Sequence, residues 1–510
     1  MVYALTERAA RHAEERAVAE AGVALGDLMR RAGAAVAETL SARVPFGPVA
    51  VVTGAGNNGG DGWVSARVLA SAGRDVRVFS LADPSELSAG AHDVAAEAIQ
   101  SGVPFEVISD EMPVHHLAGY AAVVDALLGI GFAGELRGPY VSAVHAINAS
   151  GAHVVSVDVP TGVLCDTGAV PCTAVRADVT ITFSSLKAGI VLQPGASFAG
   201  DIVVSNVGVP EEFVGELGDP EVWSAAQYGE LLPTLEPNTY KNARGRVLIV
   251  AGSGAFPGAA ILAAMGAQRM GAGYVTLAVP ESIAHVVQSK LTSAVVMGLP
   301  EHPSHTLASR VTDVILDLSR EFDAVVIGPG MTVAHGAVLV TRNLVQSLKA
   351  PLVLDADGLN AMVDALDAVR ARDGATVITP HPGELARLLD MTSAKVQSDR
   401  LVYGAKLNGP NLTCVLKGAR TVICGDGRRI VNTTGNPGLA TAGTGDVLAG
   451  MVGALLAQGL DPLHAGALAA WVHGRAGDYA AEELTETCMI AEDVPGFISS
   501  AVRELNQQTW

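Results

Sequence analysis

The residues best suited to chemistry lie in one glycine-containing stretch, 436–446, which ends Ala442-Gly443-Thr444-Gly445-Asp446. The ten residues that follow place apolar side chains on every helical face, which is typical of a buried helix. The stretch therefore predicts a loop that ends at a helix N-terminus, where unpaired backbone N–H groups and the helix dipole favour an anion. Gly443 and Gly445 would let the backbone approach a phosphate closely.

Asp446 places a carboxylate beside this predicted phosphate site. Such a carboxylate repels an anionic ligand unless it has a chemical role, and the role that fits is to take a proton from an attacking hydroxyl group. The alternative is that Asp446 only caps the helix. We favour phosphoryl transfer with Asp446 as the general base, because glycines stand directly ahead of it.

The composition predicts two or three well-packed α/β domains. The chain has 510 residues, of which 49% are hydrophobic and 17% are charged, so it is longer than one typical domain and unlike a disordered chain. Aromatic residues make up only 4%. The small aliphatic residues that dominate instead suit parallel sheets covered by helices on both faces.

The formal net charge of −19 argues against nucleic acid or an anionic membrane as a partner. Small phosphate ligands are still compatible with it, because local N–H groups can hold them. The five cysteines contain no C-x-x-C motif, which indicates a reduced, cytoplasmic compartment and argues against cysteine metal ligands. The N-terminus has no apolar signal core, and glycine and proline interrupt the longest uncharged run, 247–268, so we expect no membrane span.

The first half of the chain alternates strands with helices, which is typical of a parallel α/β sheet. The apolar patterns predict a helical segment over 7–42, strands at 49–53, 76–79, 121–125, 153–159, 178–183 and 201–204, and helices at about 63–72, 88–100 and 139–149. Lys187 lies between the last two strands, and we expect it to be a solvated loop residue.

A glycine pattern follows the strand at 49–53 and matches the dinucleotide fingerprint, Gly54-x-Gly56-x-x-Gly59, so a Rossmann NAD-binding domain is one interpretation. Three features argue against it. The loop carries two asparagines and an aspartate, more polar groups than a pyrophosphate turn needs. The ribose-binding candidate Asp83 lies past its strand end and precedes a proline. Further polar groups follow at matching strand ends, namely Asp125 and residues 158–162.

Asn58, Asp125 and Thr161 are expected to converge, because ligands of open α/β sheets bind beyond the carboxyl ends of the strands. Their oxygen atoms suit a hard monovalent or divalent cation. The alternative is a buried hydrogen-bonded network without an ion.

Residues 1–215 resemble the NAD(P)H-hydrate epimerase domain through the motifs at 57–62, 125–132 and 158–162. The resemblance implies a potassium ion on Asn58, Asp125 and Thr161. We expect Asp158 to be the acid/base residue of epimerisation. The resemblance further implies that the hydrated nicotinamide nucleotide is held by Asn57, Asn58, Gly59, Gly60, Asp61, Gly129, Ile130, Gly131, Phe132, Ala133, Gly134, Glu135, Tyr140 and Asp158.

A domain boundary is predicted in 210–235, where the strand pattern stops and Pro, Glu and Gly become frequent. The domains would then be 1–215 and 222–510. No G-x-x-x-x-G-K-[ST] motif occurs, which excludes a P-loop kinase. In the second half the apolar runs predict strands at 246–250, 274–279, 324–327, 351–355, 376–378 and 412–416.

This second half resembles the ribokinase-like superfamily, and most closely the nucleotide-dependent NAD(P)H-hydrate dehydratase. The motifs that carry the resemblance lie at 328–330, 379–384, 417–421 and 442–446. The fused layout of the two halves points to ADP. The resemblance implies adenine nucleotide binding by Lys417, Gly418, Ala419, Arg420, Thr421 and Gly445. It also implies substrate contacts at Ala259, Gly330, His381 and Asp446.

Several residues near these motifs have two interpretations. Glu384 would help to place Mg²⁺ through water, or it is only a first-turn helix acid. His381 stands between two prolines and could be a capping residue. His473 and Asp478 lie in a helical stretch, and we interpret them as structural.

Together these features predict an α/β protein with a Rossmann-like first domain and a ribokinase-like second domain. The predicted activity is metabolite repair: epimerisation of the R and S forms of hydrated NADH and NADPH, and dehydration of the S form with ADP, giving AMP and phosphate. We expect a homo-oligomer whose partners are these small molecules. Two alternatives stay open, a ribokinase-like small-molecule kinase and a first domain that is only a scaffold.

Overall fold

The computed structural model describes residues 2–407, 409 and 411–508. The chain divides into two compact units, 1–221 and 222–510. This division falls inside the segment 210–235. In the described part of the chain, no helix combines the length and the apolar character that crossing a membrane requires.

The first unit alternates strands and helices. Its strands are β1 (Val2–Leu5), β2 (Val49–Thr53), β3 (Val76–Ser80), β4 (Phe105–Val107), β5 (Ala122–Ala126), β6 (His153–Val157), β7 (Val179–Phe183), β8 (Leu186–Lys187) and β9 (Asp201–Ser205), with β10 (Glu221–Val222) at the division. Its α-helices are α1 (Glu7–Ala19), α2 (Leu25–Arg43), α3 (Asn57–Ser71), α4 (Ala89–Gln100), α5 (Pro139–Ala149), α6 (Ala188–Val191) and α7 (Glu211–Leu217). Short 3₁₀ helices lie at Pro84–Glu86, Val114–Leu117 and Gly195–Ser197.

Within the described residues, the main sheet of the first unit has seven parallel strands in the order β4-β3-β2-β5-β6-β7-β9. All five residues of β2 and of β5 are buried, because apolar clusters cover both faces of the sheet. The strand order reverses between β2 and β5, so a ligand crevice is expected at their carboxyl ends. The predicted Rossmann-like α/β fold is therefore confirmed.

Some predicted boundaries in the first unit are wrong. The segment 7–42 forms two helices rather than one, and the break contains Gly22 in the left-handed region, with φ of +68°. Strand β1 was not predicted. It pairs in parallel with β8, with Ala4 opposite Leu186, and strands this short leave no recognisable hydrophobic period.

The glycine-rich segment 57–62 was predicted as a loop, but it forms the first turns of α3. Its glycines serve close packing instead. A Cβ on Gly59 would lie 2.0 Å from the Gly54 carbonyl oxygen, and one on Gly60 would lie 2.6 Å from Met29 Sδ. Helix α3 can therefore start directly beneath the end of β2, which brings Asn57 and Asn58 to the edge where ligands bind.

The second unit repeats the strand–helix alternation. Its strands are β11 (Arg246–Val250), β12 (Tyr274–Pro280), β13 (Val295–Leu299), β14 (Glu301–His302), β15 (Thr306–Leu307), β16 (Ala324–Ile327), β17 (Leu352–Leu354), β18 (Thr376–Ile378), β19 (Leu412–Leu416), β20 (Val422–Gly425) and β21 (Arg428–Val431). Its α-helices are α8 (Ala225–Gly229), α9 (Pro257–Arg269), α10 (Glu281–Lys290), α11 (Thr312–Ser319), α12 (His335–Ser347), α13 (Asp357–Asn360), α14 (Leu366–Arg370), α15 (Pro382–Leu388), α16 (Ser393–Ser398), α17 (Arg400–Ala405), α18 (Thr444–Ala457), α19 (Pro462–Leu484) and α20 (Val494–Gln508). Short 3₁₀ helices lie at Lys241–Arg244, Ser309–Val311 and Pro437–Leu439.

The sheet of the second unit runs β13-β12-β11-β16-β17-β18-β19-β20-β21. It is parallel from β13 to β19 and antiparallel through β20 and β21. Strand β13 and the hairpin β20–β21 were not predicted. Helix α18 packs closely on α9, because a Cβ on Gly450 would lie 1.9 Å from the Ala263 carbonyl oxygen and one on Gly266 would lie 2.2 Å from that of Val447. This contact fixes where the N-terminus of α18 lies.

The end of the first unit packs back on its beginning. The Ala4 N–H donates to the Pro220 carbonyl at 2.8 Å, the Arg16 guanidinium lies 2.6 Å from Glu216 Oε2, and Gly218 abuts the Tyr3 ring. The predicted boundary at 215 would remove these contacts, whereas a boundary at 221 keeps them.

We therefore expect the fragment 1–221 to melt at a higher temperature than the fragment 1–215. A backbone hydrogen bond and an exposed ion pair contribute about 1 kcal/mol each at most, and each kcal/mol shifts Tm by about 2–4 °C at this size. Thermal melts of both fragments, with 222–510 as the complementary piece, measure the difference. Equal Tm values would show that 216–221 stabilises nothing, and insolubility of all three fragments would contradict independent folding.

Candidate active sites

Four loops of the second unit leave neighbouring parallel strands at the same edge of the sheet. Residues 328–330 follow β16, 355–357 follow β17, 379–384 follow β18 and 417–421 follow β19. Because β16, β17, β18 and β19 are consecutive in the sheet, the structure brings the sequence-predicted motifs together at their carboxyl ends.

A buried ion pair lies at the centre of this edge. Lys417 Nζ is 2.6 Å from Asp355 Oδ1, which also accepts a hydrogen bond from Thr379 Oγ1 at 2.7 Å. Asp355 is only 1% exposed. A Cβ on Gly445 would lie 3.1 Å from Lys417 Nζ, so the lysine sits directly beside the N-terminus of α18. A cation next to free helix N–H groups forms a site suited to a phosphate.

Helix α18 begins as the sequence predicts, but Asp446 does not cap it. The N-cap is Gly443, in the left-handed region with φ of +102°, and no side chain makes a capping hydrogen bond. Asp446 is the third residue of the helix and not its N-cap, so the capping alternative for Asp446 is wrong. The Asp446 carboxylate is left available for another role.

Burial, followed by the neighbouring Asp355, raises the pKa of Asp446 to about 7, although Lys417 opposes the shift. Asp357 and Glu384 add smaller contributions that also raise the pKa. A carboxylic acid with a pKa close to neutrality is well matched to proton transfer near neutral pH. The geometry and the charge environment thus suit Asp446 to be a general base.

His473 is structural, as we interpreted it. Its Nε2 donates to the Thr444 carbonyl at 2.9 Å inside the first turn of α18. Burial lowers the pKa of His473 to about 4, so the ring stays neutral near pH 7. Asp478 also supports the preceding loop, because its carboxylate accepts hydrogen bonds from Gly435 N–H and Asn436 Nδ2, both at 3.1 Å.

His381 caps α15 together with Glu384. The Nδ1 atom of His381 accepts the Gly383 N–H at 3.0 Å, and Glu384 Oε2 accepts the His381 N–H at 2.8 Å. The capping interpretation of His381 is therefore confirmed, and it leaves Nε2 as the donor nitrogen, 3.5 Å from Glu384 Oε1. The His381 side chain is 51% exposed, so the same histidine is also open to a ligand.

Two further predicted substrate residues lie side by side. A Cβ on Gly330 would lie 2.9 Å from Ala259 Cβ, so the loop after β16 touches the first turn of α9. This contact joins the Gly328–Gly330 motif to the helix that packs on α18.

Arg400 is a site residue that sequence reasoning missed. It is 7% exposed, and its guanidinium donates to the carbonyls of Leu416, Lys417, Ala419 and Arg420 at 2.6–3.2 Å. It thereby holds the backbone of the predicted nucleotide loop 417–421 from behind. No motif marks Arg400, because its four acceptors are 16 to 20 residues away in the sequence.

In the first unit, Asp125 and Thr161 form a buried polar centre at the end of β5. Asp125 Oδ1 accepts from Thr161 Oγ1 at 2.7 Å, and Oδ2 accepts from Thr161 N–H at 2.9 Å and from Ser156 Oγ at 2.8 Å. Thr161 Oγ1 also accepts the Leu128 N–H at 3.0 Å. Burial raises the pKa of Asp125, although these hydrogen bonds oppose the shift.

Asn58 lies next to this centre. A Cβ on Gly129 would lie 2.8 Å from Asn58 Oδ1, and Gly129 directly follows Leu128, which contacts Thr161. The Asn58 Nδ2 atom is buried without a hydrogen-bond partner in the described residues. The three residues predicted as cation ligands are therefore gathered on one edge of the sheet.

We predicted that Lys187 is a solvated loop residue, but the structure shows that it is buried. It is 2% exposed, and its Nζ donates to Asp158 Oδ1 at 2.7 Å, to Thr182 Oγ1 at 2.9 Å and to the Phe183 carbonyl at 3.0 Å. The prediction failed because the short strand β8 turns the side chain inward toward a partner 29 residues earlier.

Asp158 itself has an unusual backbone. Its φ is +64°, a left-handed conformation that costs a non-glycine residue about 1–3 kcal/mol and often marks a functional position. Oδ1 is occupied by Lys187 and Thr182. The Asp158 side chain is therefore held in one orientation beside a permanent positive charge.

A cavity of about 260 Å³ lies beside α3 and is lined by Asn57, Asp61, Glu14 and Phe183, among others. Burial, Asp158 and Glu14 together raise the pKa of Asp61 well above its usual value. Burial and these two carboxylates therefore favour the protonated form of Asp61 relative to an exposed aspartate.

The predicted substrate loop 129–135 lies on the same edge of the sheet but outside the walls of this cavity. Gly131 abuts the Arg11 guanidinium, since a Cβ there would lie 2.6 Å from it. Phe132 and Tyr140 pack partly buried against an apolar cluster. The remaining members, Ile130, Ala133, Gly134 and Glu135, belong to the connection between β5 and α5.

Two family models match the chain. The one described as NAD(P)H-hydrate dehydratase matches residues 247–496, and the one described as YjeF-related protein N-terminus matches residues 25–189. The matched ranges correspond to the two units of the structure.

Full-length relatives are also found. The bifunctional NAD(P)H-hydrate repair enzyme Nnr of Moorella thermoacetica is 37% identical over 492 residues, which covers 94% of this chain and 93% of the relative. The enzyme of the same name from Thermofilum pendens is 37% identical over 500 residues, which covers 97% of this chain and 95% of the relative.

Among solved structures, the ADP/ATP-dependent NAD(P)H-hydrate dehydratase of Bacillus subtilis, co-crystallised with ATP and Mg²⁺, is 27% identical with a TM-score of 0.48. The alignment covers 56% of this chain and 99% of the Bacillus subtilis chain. A ribokinase-like protein of Enterococcus faecalis is 25% identical with a TM-score of 0.49, and covers 56% of this chain and 96% of its own.

The resemblance inferred from the motifs is thus confirmed by relatives that align over nearly the whole chain. These relatives are named as bifunctional enzymes, and this chain matches one family model in each of its two halves. The chain belongs to the family of bifunctional NAD(P)H-hydrate repair enzymes.

Proposed function

We propose that the first unit interconverts the R and S epimers of hydrated NADH and NADPH, and that the second unit dehydrates the S epimer with ADP, giving AMP and phosphate. The observation that carries the proposal is Asp446, a partly buried carboxylate with a pKa of about 7 in the first turn of a helix whose N-terminus faces Lys417. A phosphate site and a base matched to neutral pH lie there side by side.

In the proposed dehydration, Asp446 takes the proton of the C6 hydroxyl as its oxygen attacks the terminal phosphorus of ADP. The new O–P bond forms as the bond from that phosphorus to the bridging oxygen breaks, and AMP leaves. The C6 phosphate ester then departs as inorganic phosphate while a proton leaves C5, which restores the C5=C6 double bond. Lys417 and the N–H groups of 443–445 would offset the developing negative charge.

The loops of the second unit also fit a magnesium ion. The carboxylates of Asp355, Asp357 and Glu384 all lie close enough to Asp446 to raise its pKa. Mg²⁺ prefers one or two carboxylates, water and phosphate oxygens. When bound, the ion would neutralise charge on the nucleotide phosphates. We propose Glu384 as the residue that places it through water, since its carboxylate is 5% exposed and already held by the His381 N–H.

Asn58, Asp125 and Thr161 fit a potassium ion. Asp125 is fully buried without an ion-pair partner in the described part of the chain, and the donor set offers oxygen atoms, which suit a hard cation. Asn58 would contribute its Oδ1 atom, which lies 2.8 Å from the Cβ position of Gly129, next to the Leu128 N–H that Thr161 accepts. The ion would supply the counter-charge that Asp125 lacks and hold the loops after β5 and β6 together.

We expect Asp125→Ala to abolish potassium-dependent stabilisation of the first unit. A ligand that binds only the folded state raises Tm with its concentration, so the wild-type chain should melt at a higher temperature in potassium than in a large organic cation such as tetramethylammonium. The measurement is Tm against potassium concentration for both chains. An unchanged potassium response in the variant would place the ion elsewhere.

The direct test of function is to incubate the chain with hydrated NADH and ADP and to follow the absorbance of reduced nicotinamide. Recovery of the full absorbance requires both activities, because a dehydratase alone stops after the S epimer. A small-molecule kinase would consume ADP without recovery, and a scaffold-only first unit would give recovery of the S fraction alone. We further propose that the protein acts in the cytoplasm as a homo-oligomer.

A further inference from the structure

One acidic residue of the first unit has no role in the function described so far. Glu14 lies on α1 on the same side as the buried residues Ala10, Ala13 and Ala17, where an apolar side chain would be expected. Within residues 2–407, 409 and 411–508, its carboxyl group has no hydrogen-bond or ion-pair partner. The side chain is partly buried and lines a cavity, so its carboxyl group is available to a molecule bound there.

The surroundings of Glu14 connect it to the proposed epimerase residues. It lines the 260 Å³ cavity together with Asn57, Asp61 and Phe183. The Phe183 backbone in turn contacts the catalytic pair, since its N–H reaches Asp158 Oδ1 at 3.4 Å and its carbonyl accepts from Lys187 Nζ at 3.0 Å. One residue therefore separates the cavity that Glu14 faces from the Asp158–Lys187 pair.

We propose that Glu14 is a second acid–base residue of the epimerase site, which acts on the C6 oxygen from one face of the nicotinamide ring while Asp158 acts on the other. The inference rests on the proposed epimerase function and assigns the second acid–base residue, for which no side chain has been named so far. Inversion at C6 needs one group that protonates the leaving oxygen and one that deprotonates the incoming oxygen, and a single carboxylate fixed by Lys187 cannot reach both faces.

The step balances as follows. Glu14 gives its proton to the C6 hydroxyl, the C6–O bond breaks with its electron pair on oxygen, and water leaves as the N1 lone pair forms an N1=C6 iminium bond. A water molecule then adds to the opposite face of C6, its electron pair forms the new C–O bond, and Asp158 takes the released proton. Glu14 ends ionised and Asp158 ends protonated, which is the starting arrangement for the reverse direction.

The charges around Glu14 favour a proton donor. Burial raises the pKa of Glu14, and Asp158 and Glu15 raise it further, whereas Lys187 and Arg11 lower it. Among the other cavity walls, burial also raises the pKa of Asp61, and Arg30 and Asp93 supply one basic and one acidic side chain. Because the acid must be protonated, we expect epimerisation to decline as the pH rises through the raised pKa of Glu14.

The test compares Glu14→Gln with Glu15→Gln in the full chain. Glu15 is the next residue on the same helix, but its side chain is 77% exposed, so it is a matched control. With a mixture of hydrated NADH epimers and excess ADP, the rapid recovery of absorbance reports dehydration of the S form and the slower recovery reports epimerisation. We expect Glu14→Gln to slow the second phase by about 10²-fold and to leave the first unchanged, with Glu15→Gln equal to wild type.

Two more measurements separate a chemical role from a structural one. Glu14→Asp keeps the acid and should recover part of the rate with its decline at high pH, whereas the residual rate of Glu14→Gln should not decline there. A wild-type second phase in Glu14→Gln would overturn the assignment. A wild-type chain that itself lacks the second phase would instead contradict the proposed epimerase function. Loss of the second phase in Glu14→Asp with no pH dependence would show a structural role and would also overturn it.

Discussion

Replacing Asp446 with asparagine should reduce the dehydration rate by about 10²-fold or more, within the range for loss of a general base. Asparagine keeps the size of the side chain, and Asp446 makes no capping hydrogen bond that the change could break. ADP affinity should persist or increase, because a negative charge that faces the phosphates is removed. Epimerisation should be unchanged, since its residues lie in the other unit. The measurements are the dehydration rate, the ADP affinity and the epimer exchange on one preparation.

The matched control for this variant is Asp478→Asn, which alters a carboxylate that supports the loop at Gly435 and Asn436. Asparagine keeps only one of the two acceptor oxygens, so this control weakens the support of the loop without removing a base, and we expect a much smaller fall in dehydration than in Asp446→Asn. Retained dehydration in Asp446→Asn would remove Asp446 from the mechanism. Lost epimerisation would show that the two activities are not independent.

The Asp446→Asn variant should also change how the stability of the protein depends on pH. The pKa of Asp446 is about 7 in the folded chain against 3.8 ordinarily, so the folded state binds more protons than the unfolded state between these values. The free energy of unfolding therefore falls as the pH rises through that window. Asp446→Asn removes this contribution and should be more stable than wild type above pH 7, while its dehydration rate should lose the rise that follows deprotonation of Asp446.

Replacing Lys187 with methionine should destabilise the first unit by about 3–5 kcal/mol, the usual cost of removing one partner of a buried ion pair. The change leaves the Asp158 carboxylate, 8% exposed, without a counter-charge, and epimerisation should be lost with it. Dehydration of the S epimer should persist and serves as the control for the second unit. Hydrogen exchange of amides in the first unit of the full chain measures the stability difference.

A double variant makes this test specific to the pair. Asp158→Asn added to Lys187→Met removes the stranded charge, so it should recover part of the lost stability while epimerisation stays absent. A cost below about 1 kcal/mol for Lys187→Met would place the lysine among ordinary surface ion pairs. Additive effects of the two changes would show that the residues do not interact.

The strands that build the two sheets were predictable because each is a short apolar run followed by glycine or a polar residue. The start of the helix at Asn57 was not predictable, because its glycines are typical of a loop. Their packing against Met29 and Gly54 is not visible in the sequence. The short strand pair β1–β8 failed for a related reason: a pairing of residues about 180 positions apart leaves no local period.

The candidate sites divide in the same way. The sequence could mark Lys417, His381 and Asp125 as candidates because each lies in a motif at the end of a strand, and Asp446 because it follows the glycines that open a helix. Lys187 and Arg400 were not found, since each is identified only by partners distant in sequence. A buried lysine or arginine that only holds other groups in place does not recur at a fixed distance from its partners in the sequence, so no motif identifies it.

Arg400 has a consequence for redesigning nucleotide preference. The guanidinium fixes the loop 417–421 through four carbonyl groups, and a lysine offers three rotatable donors in place of this rigid fork. Substitution of side chains along the loop would therefore leave its backbone conformation unchanged, because Arg400 continues to bind the carbonyl groups. Selection for a nucleotide with a longer or shorter phosphate chain would then be limited by Arg400, which lies outside the loop. Libraries should therefore vary residue 400 together with residues 417–421.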